Sequence, residues 1–167
     1  MNEIIKSLYN RKSMRVYEEK PIPEEMKEVI LEAAAQAPSA GCQQLYTILD
    51  ITDEKLKEAL SETCDHQPFI AKAPMVLVFC ADCKKWYDTY LEAGCSPRKP
   101  GMGDLMLAVT DTAIAAQNAV VAAESFGIGS LENLSVLVEG PTDEHHAVAT
   151  AIARTAVGAV SYTHLRA

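Results

Sequence analysis

Apolar positions along the 167-residue chain fall into helical and strand-like runs separated by polar breaks. Ile4, Ile5 and Leu8 give a short amphipathic turn or two. A polar, basic stretch follows, YNRKSMRVYEEKPIP, ended by two prolines. From Pro23 the spacing of Met26, Val29, Ile30, Ala33, Ala34 and Ala37 predicts a helix. Pro23 and the acidic Glu24 and Glu25 suit its first turn, and Pro38 stops it. LYTILDI (45–51) alternates and is rich in β-formers, so it reads as a strand. Thr52 is placed to cap a helix carrying Leu56, Ala59 and Leu60. PMVLVFC (74–80) is a continuous apolar run, which predicts a strand buried on both faces. Residues 82–93 read as a helix with Trp86 and Tyr90 on one side, and CSPRKPGMG (95–103) as a loop. Asp104 is expected to cap the longest helix, roughly 105–126, closed by Gly127. That helix is apolar nearly all round, from Leu105 and Met106 through Val109, Ile114, Val120 and Val121. It must be buried on most sides, and in so short a chain a second subunit is the expected cover. LSVLV (134–138) is a weaker strand, and Thr142 is expected to cap a last Ala-rich helix that would expose His145 and His146 to solvent. The chain shows no internal repeat, low-complexity tract or linker.

Composition narrows the classes. About half of the residues are apolar (49%), enough for one domain with a sizeable core. A formal charge of −8 argues against a general nucleic-acid binder, while leaving room for one local anion site. The five cysteines are an odd number, and no signal-like or long apolar span opens the chain. The expectation is a reduced cytoplasmic protein with no membrane partner. Cys80 and Cys83 form a CxxC. A thioredoxin-like site would place such a pair at a helix start after a strand, and PMVLVFCADC comes close. The plainer reading is one core cysteine ending a strand and a second one exposed. A zinc site would need two more ligands at suitable spacing; Cys64, Cys95 and His66 are isolated, so no metal site is expected.

Two stretches carry candidate chemistry. RKSMR (11–15) sets Arg11, Lys12 and Arg15 around Ser13. Guanidinium groups offer planar forks of donors that suit phosphate oxygens, and a hydroxyl adds a short donor. A solvated basic turn is the alternative. APSAGCQQ (37–44) lies between a helix and a strand. Pro38 fixes the helix exit, and Ser39, Ala40 and Gly41 let a planar group approach the backbone closely. Gln44 can donate and accept, so this surface could hold the polar edge of a heterocycle. A compact helix-to-strand corner is the competing explanation.

Taken together, these stretches resemble the nitroreductase family of FMN-using flavoproteins. The family's N-terminal Arg-x-Ser-x-Arg/Lys segment is matched by Arg11, Ser13 and Arg15. Its Pro-Ser-x-x-Asn-x-Gln-Pro segment is matched at Pro38, Ser39 and Gln44, with Cys42 in place of the usual Asn and Leu45 in place of the usual Pro. QPFIAKAPMVLV (67–78) looks like the family's loop and strand after the second helix. DTAIAAQNAVVAAESFGIGS (111–130) is similar to its long central dimer helix and Gly-Ile-Gly-Ser end.

The resemblance implies an α+β fold, a central mixed or antiparallel sheet flanked by helices with a long buried dimer helix. It implies FMN as cofactor. Arg11, Ser13 and Arg15 would hold the phosphate and ribityl chain, and Lys12 would contribute its backbone or charge. Pro38, Ser39, Ala40 and Gln44 would line the isoalloxazine and ribityl, and Gln67 is a further candidate. A homodimer with two sites at its interface follows. So does ping-pong hydride transfer from NAD(P)H through flavin to a nitroaromatic, quinone or similar acceptor, with no catalytic side chain required. A dehalogenase-like branch and a non-catalytic or truncated flavin-binding module are the alternatives.

The resemblance covers residues 1–130, the expected FMN-binding domain. Residues 131–167 form an atypical C-terminal segment of the same domain in which the family's later elements are not recognised. Glu139 and Gly140 resemble a Glu-Gly pair of some members, at a different spacing. The ending SYTHLRA looks like translated sequencing-adapter read-through, and the expectation is that the native C-terminal elements are incomplete here.

Overall fold

The structure, a computed structural model, describes residues 1–139 and 148–159, and the side chains of residues 1–131. Thr142, His145, His146, Gly140 and the SYTHLRA ending lie outside the described residues.

Helix α1 (Glu3–Asn10) begins at Asn2, whose side chain accepts from the Ile5 N–H at 3.0 Å. Helix α2 (Glu24–Ala35) starts after Pro23, so the proline stands just before the first turn rather than inside it. A single 3₁₀ turn (Ala40–Cys42) leads into strand β1 (Tyr46–Asp50). Helix α3 (Glu54–Thr63) is capped by Asp53, which accepts from Leu56 N at 2.9 Å; the expected cap, Thr52, lies one residue outside. The short α4 (Phe69–Lys72) precedes β2 (Met75–Ala81). Helix α5 (Lys85–Glu92) brings Trp86 and Tyr90 into ring contact at 5.9 Å, as their spacing predicts. Helix α6 (Met102–Ser125), β3 (Ile128–Glu139) and β4 (Val148–Ala159) complete the chain.

The four strands form one antiparallel sheet in the order β1-β2-β4-β3. The expected terminal helix is therefore corrected: residues 148–159 are a strand, paired to β3 along its length and to β2 over Ile152–Val157. An Ala-rich run has high helix propensity, but the open edge of β2 offers it a ladder of backbone partners, and tertiary pairing outweighs propensity.

Strand β2 is the centre of the core, with Met75, Val76, Leu77 and Phe79 at 1% exposure or less. Burying side chains of this size contributes about 1.5–3 kcal/mol each. Helix α6 lies against the sheet and α2 through small residues, Ala108, Ala115, Ala116, Ala119 and Ala123, all fully buried. Alanine lets the helix approach closely and costs no side-chain entropy. Asn118 Nδ2 donates to Ala33 O at 3.1 Å, tying α2 to α6. By length and composition α6 could cross a membrane; its alanine face instead packs on this core. Its other face is open: Met102, Met106 and Leu107 are 49–71% exposed, and Ile4 and Leu8 of α1 are also exposed, at 65% and 47%.

Helix α3 corrects the periodicity reading. Leu56 and Ala59 are exposed, and the buried positions are Lys57 and Ser61, with Leu60 partly buried against Cys64, Ile70 and Val76. The Lys57 stem packs inward while its Nζ donates to Ala73 O at 3.3 Å. The aliphatic stem of a lysine reads as polar in a hydrophobic pattern, which is why the face was assigned wrongly.

The start of α6 differs by one turn from expectation. Gly101 is the cap residue, and Asp104 sits in the first turn, accepting from Gly101 N at 2.8 Å and from both Arg98 nitrogens at 2.6 and 2.8 Å. The Arg98 pair and the Gly101 N–H hold the Asp104 carboxyl down at about 2. Its folded value lies below the unfolded carboxylate value of about 3.9. The stability it contributes is therefore present above about pH 4 and is lost as pH falls toward 2. Asp104→Asn is expected to cost about 0.5–1 kcal/mol at pH 7 and to flatten the loss of stability below pH 4. Urea midpoints at pH 7 and pH 3 for both proteins check this; an equal acid loss in the variant would contradict it.

Candidate functional site

The corner after α2 is built under strain. Gly41, Cys42 and Gln44 all have positive φ, +57°, +57° and +49°. A side-chain-bearing residue pays roughly 1–2 kcal/mol in this region, so Cys42 and Gln44 stay there only because their surroundings fix them. Those surroundings are specific. The Asp111 carboxylate, 3% exposed on α6, accepts from Ala40 N at 3.0 and 3.2 Å and from Leu45 N at 3.3 Å. Ser39 Oγ accepts from Gln44 N at 3.0 Å, and Gln44 Nε2 donates to Ala35 O at 2.9 Å. Trp86 Nε1 donates to Gln43 O at 2.7 Å, and Lys85 Nζ donates to Gln44 O at 2.6 Å and Tyr46 O at 3.2 Å. With its backbone tied from behind, the corner keeps Gly41 and Gln44 exposed and Ala40 partly buried against Leu45, Ala81 and Ala108.

The basic stretch lies at the other end of α6. Met14 N donates to Ser130 O at 3.0 Å, which docks the segment on the start of β3. Arg11 is partly buried, and its Nε is a buried donor without a partner among the described residues; Ser130 Oγ is another. Lys12 and Met14 line a hollow of about 320 Å³ with Asn10, Glu124 and Gly129. Burial pushes the Glu124 carboxyl up, and the Arg11 guanidinium pulls the other way. Ser13 is exposed. Arg15 faces a separate cleft of about 830 Å³ with Tyr17, Pro68 and Phe69. Gln67, half-buried, leads into that cleft's wall, its N–H held by Ser61 O at 2.8 Å.

The predicted residues thus fall in three places. Arg11 and Lys12, with Ser13 next to them in the chain, sit near the C-terminal end of α6, Pro38, Ser39, Ala40 and Gln44 near Asp111, and Arg15 at the separate cleft that Gln67 leads into. Thirteen helical steps separate Asp111 from Glu124, which places the corner and the basic end about 20 Å apart along the axis. A single chain does not bring them to one point.

The residues fit a phosphate-bearing cofactor at the basic end. A buried, unpartnered guanidinium nitrogen costs free energy that an anion relieves, and Ser130 adds a second orphaned group beside it. Asp111, Ser130, Lys85 and Trp86 were not singled out from the sequence. Asp111 had a signal, a carboxylate amid the buried face of an apolar helix; Ser130 had one in the Gly-Ile-Gly-Ser run. Lys85 and Trp86 act on backbone carbonyls 39 to 43 positions away, which no local pattern reveals.

The CxxC reading is not supported. Cys80 lies inside β2 and Cys83 precedes α5, and both thiols are pushed up, by burial first, then by Asp82 at Cys80 and by Asp104 and Asp82 at Cys83. A redox thiol needs the opposite shift. Among the described residues, no three His, Cys, Asp or Glu side chains gather as metal ligands.

Comparison with known proteins bears on the same segments. Residues 8–133 match the family model described as Nitroreductase family. The "FMN reductase [NAD(P)H]" of Bacillus subtilis is 34% identical over 138 residues, covering 78% of this chain and 53% of that protein. The "Oxygen-insensitive NADPH nitroreductase" of Salmonella typhimurium is 35% identical over 132 residues, with the same coverages of 78% and 53%. The chain spans about half the length of these curated relatives. Among solved structures, B. megaterium NfrA1 superposes with a TM-score of 0.83 at 28% identity, covering 99% of this chain and 70% of that one.

The geometry of the corner makes a prediction about Cys42. Asn tolerates the left-handed region far better than Cys, because its short amide bonds locally. Cys42→Asn is expected to raise stability by about 0.5–1 kcal/mol, measured as an upward shift of the urea midpoint with unchanged slope. A drop in the midpoint would show that the strain at position 42 is relieved by contacts of the thiol.

Proposed function

The chain belongs to the nitroreductase family, and from that premise we propose that it is the FMN-binding part of an NAD(P)H-dependent flavin oxidoreductase acting on nitroaromatic, quinone or similar acceptors. The observation that carries this reading is the pairing of a strained, backbone-tied corner with a buried, unpartnered arginine nitrogen. Both lie on segments matched by the family's model. Two relatives that the chain matches are named for reduction by NAD(P)H, one of FMN and one as a nitroreductase.

When bound, FMN supplies the hydride chemistry, accepting from NAD(P)H and then giving to the acceptor in ping-pong order. The protein's part is to bind and orient. Arg11, Lys12, Ser13 and Arg15, joined by the orphaned hydroxyl of Ser130, would hold the phosphate and ribityl chain. Pro38, Ser39, Ala40 and Gln44 would line the ring, and Gln67 would reach it from the loop before α4. Ser39 keeps its hydroxyl hydrogen, and Gln44 its side-chain carbonyl, for a ring edge, since their recorded bonds use the other groups. On the flank of the corner, Gln43, Trp86, Tyr87, Tyr90 and Leu107 line a hollow of about 300 Å³ whose aromatic walls suit a planar acceptor.

The 20 Å between the corner and the basic end supports a homodimer. Two α6 helices packed antiparallel across a two-fold axis near their middle, on the open side that Met102, Met106 and Leu107 begin, would set one copy's corner beside the other copy's Arg11. This arrangement covers the exposed stripe of α1 as well. Residues 1–130 would then form the cofactor domain, with 131–167 as its C-terminal segment, in a soluble cytoplasmic protein. A second reading is a flavin-binding module without turnover, because the described side chains bind and orient while the hydride chemistry belongs to the cofactor.

Purified protein reconstituted with FMN is expected to be yellow and to bleach anaerobically with NADH or NADPH. Arg11→Ala is expected to weaken FMN affinity tenfold or more, the loss of a charged hydrogen bond. Fluorescence titration and anaerobic absorbance measure both. Yellow protein that does not bleach selects the second reading; protein that takes up no FMN overturns both.

A further inference from the structure

We propose that Asp111 is the positioning residue of the flavin-binding corner, setting cofactor affinity from behind without touching the cofactor. The assignment rests on the flavin reading above, but its geometry is independent of it. The carboxylate is 3% exposed, belongs to the alanine face of α6, and has no cation bound to it among the described ion pairs. A buried charge of this kind persists only if hydrogen bonds satisfy it. Its recorded partners are the Ala40 and Leu45 N–H groups, 71 and 66 positions away in the chain.

These two donors bracket the strained residues. Gly41, Cys42 and Gln44, all at positive φ, lie between the two amides that Asp111 holds. Anchoring both ends of the loop on one rigid helix fixes where its outer surface stands. It also holds the Ala40 N–H against α6, while Gly41 and Gln44 stay exposed on the corner's outer side. Sequence composition alone makes this bend possible; the carboxylate selects one conformation from the many that Gly41 permits. Asp111 is thus a link between the helix offered to a second subunit and the surface offered to the ring.

Asp111→Asn tests this while changing shape least, since the amide can accept one N–H but presents its own NH₂ to the other. Two readouts are needed. In hydrogen exchange, the peptide covering residues 38–46 is expected to exchange about tenfold faster in the variant, with the β2 peptide unchanged. In flavin fluorescence titration, FMN is expected to bind about tenfold more weakly, with the absorbance of the bound ring shifted toward that of free FMN. Ala40→Pro approaches the same bond from the donor side. It removes the N–H at the first position of a 3₁₀ turn, where proline is tolerated, and Ser39 is already extended (φ −137°, ψ 155°) as a residue before proline requires. The same loss of affinity is expected from it if Asp111→Asn does not fold. Unchanged exchange at residues 38–46, or faster exchange with unchanged FMN affinity, overturns the proposal. Wild-type protein that shows corner protection but takes up no FMN overturns the flavin reading instead, and with it the purpose assigned to Asp111.

Discussion

A continuous alanine face on α6 is the constraint on which the other features rest. Ala108, Ala115, Ala116, Ala119 and Ala123 have no bulk to hold the helix off the sheet. The helix therefore sits close enough for Asp111 to reach the backbone at Ala40 and Leu45, and for Asn118 to reach Ala33. Larger residues there would push α6 outward and strand a charged carboxylate without its donors. Close packing on one face and polar reach at two points are the same design decision, because the length of an aspartate or asparagine side chain sets the tolerance.

The same helix also acts as a ruler. The corner is tied to it at Asp111 and the basic stretch lies by Glu124 near its C-terminal end, and a straight helix cannot bring the two together. Exposed methionines and Leu107 on the outer side give this separation a physical meaning. Apolar surface that faces water is costly, and in the proposed homodimer a second copy would cover it while supplying the other half of each site. Affinity for the cofactor and association of the chains would then be linked equilibria, since each would stabilise the other.

Legibility from the sequence followed the range of the forces involved. Elements set by local periodicity or a long apolar run were read correctly, among them α2, β2, α5 and the body of α6. Caps slipped by one to three residues because neighbouring residues compete for them, as Thr52 and Asp53 do, or Gly101 and Asp104. The buried side of α3 was misread because Lys57 hides its stem while showing polar identity. The run 148–159 was misread because its local preference is helical and its partner, β2, lies far away in sequence. In the candidate site, the sequence suggests residues of recognisable type at short spacing. It does not reveal that Asp111 and Trp86 act on backbone atoms of a distant loop.

That difference says something about how such a corner works. The residues that would touch a cofactor are small or flexible and could adopt many arrangements alone. The residues that choose among those arrangements lie elsewhere: Asp111 on α6, Lys85 and Trp86 on α5. Left-handed backbone at Cys42 and Gln44 is held by these bonds rather than by local preference, so the energy of the strained state is distributed over two helices. Loosening either helix relaxes the corner, even where no contacting residue changes. Differences in cofactor affinity between chains with the same touching residues therefore trace to α5 and α6 before they trace to the loop itself.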